Sequence, residues 1–574
     1  MVKDEYKNFI IFAVIAAFVL FAWQPIVDHF MPASPEPTTA QSGVKTEPKP
    51  NPAADPTADS PAATRDRAQV LSESKRIPID TPTLKGSINL RGARIDDLVL
   101  KQYDETIAKN SPPIRLLSPA GAPGAYFAGF GWRTEGVKAP GADTVWQASG
   151  NPVLAPGKPV TLTADNGQGQ RFQVEIAVDD QYMFTVKQTV GNGGNVPVQA
   201  VPYALVNRTG ESKDKDTWTI HTGPMAAYNG SADYGIDFKD LRDAPAKFDS
   251  TGGWLGFTDK YWLTALVPDQ SIPFAGQFRA GGNDSYQADY APANVGMIAP
   301  GKQLSYTSRF FAGGKDVSLL QHYQNDGHIE LFDKAIDWGW FEIVEKPIFY
   351  YLDWLFRHIG NFGFAIILLT FTIRGLMFPI AQKQFASMAG MRALQPKMKA
   401  LQERHKEDKP KLQQEMMKLY KEEKVNPLGG CAPTLLQIPV FFALYKVLML
   451  TIEMRHQPFI LWIKDLSAPD PLTPVNLFGL IPFDPPGFLH IGVVPILLGI
   501  SMFFQFRLNP APMDDTQKQI FGLMPWVMMF IMAPFAVGLQ IYWITSNVLT
   551  IAQQQFLYSR HPALKKKADA GTGG

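Results

Sequence analysis

The fold of this chain is decided by a twenty-residue stretch, Asn361–Ile380, which reads NFGFAIILLTFTIRGLMFPI. As a helix it would span about 30 Å, the thickness of the hydrocarbon core of a bilayer. Arg374 is its only charged residue, and we find no Asp or Glu in any other candidate membrane span. A cation inside a membrane costs about 3 to 10 kcal/mol or more. The sequence therefore predicts that water, a lipid headgroup or a substrate lies beside Arg374.

Three interpretations of Arg374 are open. In the first, its side chain snorkels to the cytoplasmic surface. Lys383 lies nine residues farther on, about 13 Å along a helix, and an arginine reaches only about half that distance. In the second, Arg374 is a buried structural residue that bonds to loop carbonyls. In the third, which we favour, it lies in a hydrated functional cavity.

Composition divides the chain into two unlike parts. Residues 65–330 are polar and rich in turn residues, whereas residues 345–560 consist mainly of apolar runs. A length of 574 residues predicts two folded bodies, and a net charge of +1 argues against a nucleic-acid substrate. The single cysteine, Cys431, excludes an intramolecular disulfide and a cysteine-rich metal site. Because hydrolase, phosphate-loop and zinc-protease motifs are missing, we expect no enzyme, no cofactor and no metal.

The N-terminal part reads as a membrane anchor followed by a tether. Residues 1–28 contain the apolar run Phe9–Trp23 and no closely following Ala-x-Ala site, so we predict an uncleaved signal anchor. Its removal as a signal peptide is the alternative. Residues 29–75 are predicted to be a disordered, Pro-rich linker, because eight prolines fall between 31 and 64.

Residues 76–335 are predicted to form an all-β sandwich. In Arg171–Val178 apolar residues alternate with mostly polar ones, and Tyr182, Phe184 and Val186 repeat the alternation after a turn. This period of two is typical of half-buried antiparallel strands. Further candidate strands are 159–164, 198–207, 217–221, 261–267 and 303–311.

Residues 336–360 are predicted to form an amphipathic helix in the membrane interface. The charged residues between 342 and 357 fall on one face of the helix, while Trp354 and two tyrosines accompany its apolar side. The alternative is an ordinary amphipathic helix packed on the β domain.

Residues 361–560 are predicted to hold five membrane spans and a helical hairpin. The spans are 361–381, 431–451, 488–506, 521–538 and 539–557, the hairpin is 383–424, and a basic tail follows at 561–574. Because hairpin and tail are rich in Lys and Arg, the positive-inside rule places both in the cytoplasm. Six crossings, counting the anchor, then place both termini in the cytoplasm and the β domain outside. A stripe of methionines along the hairpin could bind nascent segments, because methionine adapts to varied apolar partners. We favour the alternative that these methionines pack between the two helices of the hairpin.

The predicted spans also contain hydroxyl and amide side chains but no acid. Any single one, such as Gln437, is best explained as an interhelical hydrogen bond. Together they favour a water-accessible groove that accepts varied cargo. The alternative is a transporter or channel with an exported ligand-binding domain. A proton-coupled transporter, however, usually has an intramembrane carboxylate, and an ion channel a ring of charges or carbonyls. A weaker alternative function is that the β domain binds or modifies carbohydrate.

Several long motifs resemble the YidC/Oxa family of membrane protein insertases. They are Thr370–Arg374, Ser387–Pro396, Val425–Tyr445, Leu461–Pro471 and Ser546–Gln555. The large β domain resembles, more loosely, the β-supersandwich found in the Gram-negative inner-membrane form. The resemblance therefore implies a multi-domain membrane protein: an α-helical bundle of six spans, five of them its core, with a periplasmic all-β domain and a cytoplasmic hairpin.

The resemblance also implies which residues line a hydrophilic groove open to cytoplasm and lipid. The family's conserved arginine matches Arg374, and its contact positions match Thr370, Phe441 and Tyr542. At three further contact positions of the family this chain carries a different residue. Gln437 is also expected to line the groove. The departing positions are Leu498, Ile531 and Trp543.

The function that the resemblance implies is insertion and folding of nascent inner-membrane proteins, alone or with the Sec translocon. Expected partners are nascent membrane proteins, the lipid bilayer, the Sec translocon, and the ribosome or signal-recognition machinery through the cytoplasmic loops and basic tail. We expect no nucleic acid as substrate and a location in the bacterial inner membrane.

Overall fold

The computed structural model describes residues 64–214, 220–294, 296–405, 408–423, 432–478, 480–481, 491–508 and 515–560. The predicted anchor at 1–28, the linker up to residue 63 and the tail at 561–574 lie outside these residues. The linker boundary at 75 is wrong, because helix α1 (Arg67–Ser72) precedes the first strand. The Asp66 carboxylate caps this helix by accepting hydrogen bonds from the backbone amides of Ala68 and Gln69.

The described part of the β domain contains nineteen strands between Arg76 and Gly314. The first ten are β1 (Arg76–Asp80), β2 (Leu84–Asn89), β3 (Arg94–Asp104), β4 (Pro113–Leu117), β5 (Tyr126–Glu135), β6 (Gln147–Ala148), β7 (Val160–Asp165), β8 (Gln170–Val178), β9 (Met183–Asn192) and β10 (Val198–Thr209). The next nine are β11 (Gly223–Tyr228), β12 (Ser231–Asp233), β13 (Ala246–Thr251), β14 (Trp254–Thr258), β15 (Trp262–Val267), β16 (Pro273–Ala280), β17 (Ser285–Pro292), β18 (Gly296–Ile298) and β19 (Gln303–Gly314).

Among the described residues these strands form two antiparallel sheets that share one core. One sheet runs β1-β2-β3-β5-β10-β17-β16-β13, with β4 and β18 attached; the other runs β12-β11-β14-β15-β19-β9-β8-β7-β6. Alternate residues of β8 are buried, including Phe172, Val174 and Ile176. The predicted all-β sandwich is therefore confirmed. The candidate strand 217–221 lies mostly outside the described residues, and the next described strand, β11, begins at Gly223.

Short helices frame this domain and longer ones follow it. They are α2 (Phe238–Asp243), α3 (Val317–Asn325), α4 (Glu342–Ile359), α5 (Phe362–Leu376), α6 (Phe378–Arg404), α7 (Lys409–Glu422), α8 (Ala432–Leu450), α9 (Val493–Leu508), α10 (Asp515–Met532) and α11 (Val537–Arg560). By length and hydropathy, no single helix in the described part of the chain suffices to cross a membrane alone. Helix α5 together with Phe378–Phe385, which bends away from it by 62°, passes that test by length and composition.

Four predicted spans have other boundaries in the structure, among them 488–506, whose helix begins at Val493. The stretch 361–381 is interrupted at Met377, and Pro379 occupies the first turn of α6, where its missing N–H does no harm. The division at 538/539 is also wrong: α10 ends at Met532 and α11 begins at Val537, with Pro534 between them. Proline explains both interruptions, since it cannot continue a preceding helix without losing a hydrogen bond.

Helices α6 and α7 pack along a seam of apolar side chains. Met398 and Met416 are almost fully buried there with Leu394 and Tyr420. For Met398 and Met416 the interpretation as a seam is therefore confirmed. The first arm begins earlier than predicted, because α6 runs without a break from Phe378.

Helix α4 lies against α5 and α8 with one apolar face. Phe349, Leu352 and Leu355 are buried, whereas Trp354 is about half exposed. The Tyr351 hydroxyl lies 2.9 Å from the hydroxyl of Thr372 on α5. The amphipathic helix is thus packed mainly on other helices rather than on a strand surface.

A buried carboxylate organises the segment between α8 and α9. Asp470, 1% exposed, accepts hydrogen bonds from the Trp462 indole at 3.0 Å, the Leu472 amide at 3.0 Å and the Val494 amide at 2.8 Å. Val494 lies in the first turn of α9, where a negative charge offsets the helix dipole. This one side chain therefore fixes where α9 begins.

Candidate functional site

The Arg374 guanidinium is met by a hydroxyl, not by a carboxylate. Its Nε donates to the Ser546 Oγ at 3.1 Å, and one of its terminal nitrogens donates to the same atom. Arg374 is half-buried in the last turn of α5, and Ser546 is buried on α11. Among the described residues no acidic oxygen lies within 4 Å of the guanidinium. The charge is therefore neither paired nor fully exposed.

Two further polar residues continue this arrangement across three helices. Tyr542 lies one turn before Ser546 on α11 and is 2% exposed. Its hydroxyl accepts a hydrogen bond from the Gln437 amide on α8. Arg374, Ser546, Tyr542 and Gln437 thus connect α5, α11 and α8 by polar groups inside otherwise apolar helices.

An aromatic pair borders these polar groups. The rings of Phe441 on α8 and Trp543 on α11 meet edge to face, 5.1 Å between centroids. Both residues are only partly buried. They present an apolar surface next to the polar residues, which is what an amphiphilic segment would need.

The structure does not gather every residue named from the sequence. Thr370 is 1% exposed, and its hydroxyl donates to the Ile366 carbonyl of its own helix at 2.7 Å, so its one donor is already used. Leu498 is fully buried within α9, whereas Ile531 on α10 is 51% exposed. These three side chains make no recorded contact with Arg374.

Other amides in the helices bond to neighbouring elements, as expected for single residues. Asn547 donates to the Ser501 hydroxyl of α9 at 2.8 Å, and Gln554 donates to the Leu508 carbonyl at 2.9 Å. Gln540 donates to the Met532 and Phe535 carbonyls. The structural interpretation is confirmed for them.

Sequence reasoning missed a second cation, Lys446, inside the predicted span 431–451. Its ammonium lies 4.0 Å from the Asp337 carboxylate, and its side chain is 12% exposed. The nearby Glu345 is 2% exposed, and burial raises the pKa of its carboxyl group to about 7. Lys446 is thus balanced by acids supplied from outside the span, a compensation that Arg374 lacks. Asp337 lies just before α4 and Glu345 lies in its first turn, so only the fold brings them to Lys446.

The β domain contacts the segment that follows the C-terminal end of α8. A Glu453 oxygen accepts from the Val317 amide at the start of α3, 3.0 Å away. Arg455 donates to the Asp104 carbonyl at 2.7 Å, and its guanidinium lies 5.4 Å from the centre of the Trp262 ring. Burial raises the pKa of Glu453 to about 8. The helices are therefore held to the strands by hydrogen bonds and a cation–π contact that are only partly buried.

Comparison with known proteins decides the family. A family model described as "YidC periplasmic domain" matches residues 76–351, and one described as "60Kd inner membrane protein" matches residues 354–566. "Membrane protein insertase YidC" of Zymomonas mobilis subsp. mobilis is 49% identical over 99% of this chain and 97% of its own length. The chain belongs to the YidC family.

A second relative agrees with this assignment. The insertase of the same name from Mesorhizobium japonicum is 44% identical over 98% of the chain and 96% of its own length. Among solved structures, "Active YidC insertase crystal structure with the first transmembrane domain resolved" is 17% identical, covers 84% of this chain and 92% of that one, and has a TM-score of 0.36. The resemblance drawn from the sequence motifs is confirmed, and the β domain is the periplasmic domain of this inner-membrane family.

Proposed function

We propose that this protein is a membrane protein insertase whose polar groove surrounds Arg374. The observation that carries the proposal is the guanidinium of a mostly apolar helix held by the Ser546 hydroxyl without a carboxylate. Such a charge is stable only if water or a visiting polar segment stays within reach. The relatives' common name, membrane protein insertase, supports the same activity.

The mechanism needs no bound cofactor and no nucleotide. The polar part of a nascent protein enters from the cytoplasm and is held transiently near Arg374. Its hydrophobic segment slides along the aromatic surface of Phe441 and Trp543. Water in the groove lowers the cost of desolvating polar groups during the crossing. The client leaves when its apolar segment partitions into lipid.

The proposal includes a topology and a set of partners. Six crossings place both termini, the α6–α7 hairpin and the basic tail in the cytoplasm, because these segments carry the excess of Lys and Arg. The proposed partners are the Sec translocon, for clients inserted together with it, and the ribosome or signal-recognition machinery. All six crossings, including α5 with its bend, are proposed to lie in the membrane.

Reconstitution tests this function. The purified protein is placed in liposomes without other translocation factors, and a short two-span client is added. We expect insertion without solute leakage. A photoreactive residue at Trp543 should capture the client, whereas one at Val548, which is 54% exposed elsewhere on α11, should not. Solute flux without insertion would support a transporter or channel instead, and equal capture at both positions would refute the groove.

A further inference from the structure

A second surface feature lies between α9 and α11. It is an open groove of about 630 Å³, here called the α9–α11 groove, and its walls are almost wholly apolar. The apolar side chains that form it are Leu497, Ile500, Phe504, Ile544, Val548 and Ile551. Arg507 and Gln555 also line it, at the ends of the two helices. A volume of this size is within the range of ligand pockets.

The α9–α11 groove is separate from the candidate client groove. At about 100° per residue, Ile551 lies roughly 180° from Tyr542 around α11, and Val548 lies roughly 200° from Ser546. The groove therefore lies on the far side of α11 from Arg374. A ligand there would not compete directly with a client beside Arg374.

The length and charge of the groove fit one leaflet of a bilayer. Leu497 to Leu508 extend over about 16 Å of helix, and one leaflet contributes about 15 Å of hydrocarbon. Arg507 is exposed at the end of this run, with its guanidinium 4.7 Å from the centre of the Phe503 ring. In the described part of the chain no carboxylate lies within 4 Å of it. An apolar channel one leaflet long thus ends at a cation that has no carboxylate partner among the described residues.

We propose that the α9–α11 groove binds an anionic phospholipid, with an acyl chain between the helices and the phosphate at Arg507. This requires α9 and α11 to lie in the membrane, as the proposed function has them. A basic residue beside an apolar cleft between membrane helices is a known arrangement for anionic headgroups. The apolar walls suit an acyl chain, and the exposed Arg507 at their end suits a phosphate.

The test compares two lipids on the purified full-length protein. Phosphatidylglycerol and phosphatidylcholine with identical acyl chains are supplied in equal amounts in detergent, and bound lipid is counted by native mass spectrometry. We expect phosphatidylglycerol to be retained roughly fivefold better, the effect of about one basic residue at a charged interface. Arg507→Gln should abolish that preference yet leave lipid bound. Val548→Trp and Ile551→Trp, which fill the groove, should each reduce retention of both lipids.

The matched control is Leu368→Trp, which adds the same ring at a position 43% exposed on α5. It should retain lipid like the unaltered protein, and unchanged melting curves would show that all variants fold. Equal retention of both lipids by the unaltered protein, or full retention by both groove-filling variants, overturns the proposal. A photoreactive residue at Ile551 that captures a client, a second copy or residues 9–27 instead of lipid would overturn it as well.

Discussion

Replacing Asp470 with alanine should cost more stability than most single changes in this protein. The substitution leaves the Trp462 indole and the Leu472 and Val494 amides without their acceptor. Each buried donor left unpaired costs about 1 to 3 kcal/mol, and the loss of charge at the start of α9 adds up to about 2 kcal/mol. Water can reach the half-buried indole of Trp462 and replace its lost acceptor, so the total cost is smaller than the sum of these values. We expect the free energy of unfolding to fall by about 3 to 5 kcal/mol.

Equilibrium unfolding in mixed micelles measures this change. Asp470→Asn keeps one acceptor oxygen but not the charge, so it should lose about half as much. Asp80→Ala is the matched control, because that carboxylate is 67% exposed in a surface ion pair with Lys101 and should cost less than about 1 kcal/mol. If Asp470→Ala costs no more than Asp80→Ala, the carboxylate does not hold the start of α9 and the reasoning is refuted.

Three further changes test other parts of the molecule. Burial raises the pKa of Glu453 from 4.5 to about 8, so its contribution to stability is complete below pH 4.5 and is lost as the pH rises through 8. Thermal melts from pH 4 to 9 should show this fall in stability, and Glu453→Gln should remove it. Phe441→Ala removes the edge-to-face partner of Trp543, so client crosslinking at Trp543 and insertion rate should both fall, by roughly two- to tenfold; unchanged insertion would contradict the aromatic slide. Gly363→Ala places a methyl group 2.0 Å from the Phe459 ring and should cost about 1 to 3 kcal/mol in micelle unfolding, whereas Gly522→Ala, with open space around it, should cost nothing.

The sequence predicted the β domain well, because alternation within a strand is a local property. The run 171–178 and the observed strand Gln170–Val178 differ by one residue. The apolar runs of the helical part located the helices but not their breaks. Pro379 and Pro534 mark the two interruptions, yet a proline near the end of an apolar run reads equally as a cap or as a kink.

From local sequence alone only the central residue of the candidate site was predictable, whereas Gln437, Phe441, Tyr542 and Trp543 were expected from the family resemblance. Arg374 stands out as a lone charge in an apolar run, whereas its partner Ser546 lies 172 residues away and has no local signature. Lys446 was visible in the same way, as a charge in an apolar run, and was overlooked; only its acidic neighbours Asp337 and Glu345 come from other elements. Pairing across distant segments depends on packing, which periodicity does not encode.

The central claim is that Arg374 acts through its charge in a hydrated groove. The most direct measurement compares insertion of two clients that differ only in an acidic or a neutral exported tail, using the unaltered protein, Arg374→Ala and Arg374→Lys in liposomes. We predict that Arg374→Ala slows the acidic client at least about tenfold more than the neutral one, the effect of a lost charge-assisted hydrogen bond, and that Arg374→Lys restores most of the difference. Equal insertion of both clients by Arg374→Ala, at the rate of the unaltered protein, would contradict the account.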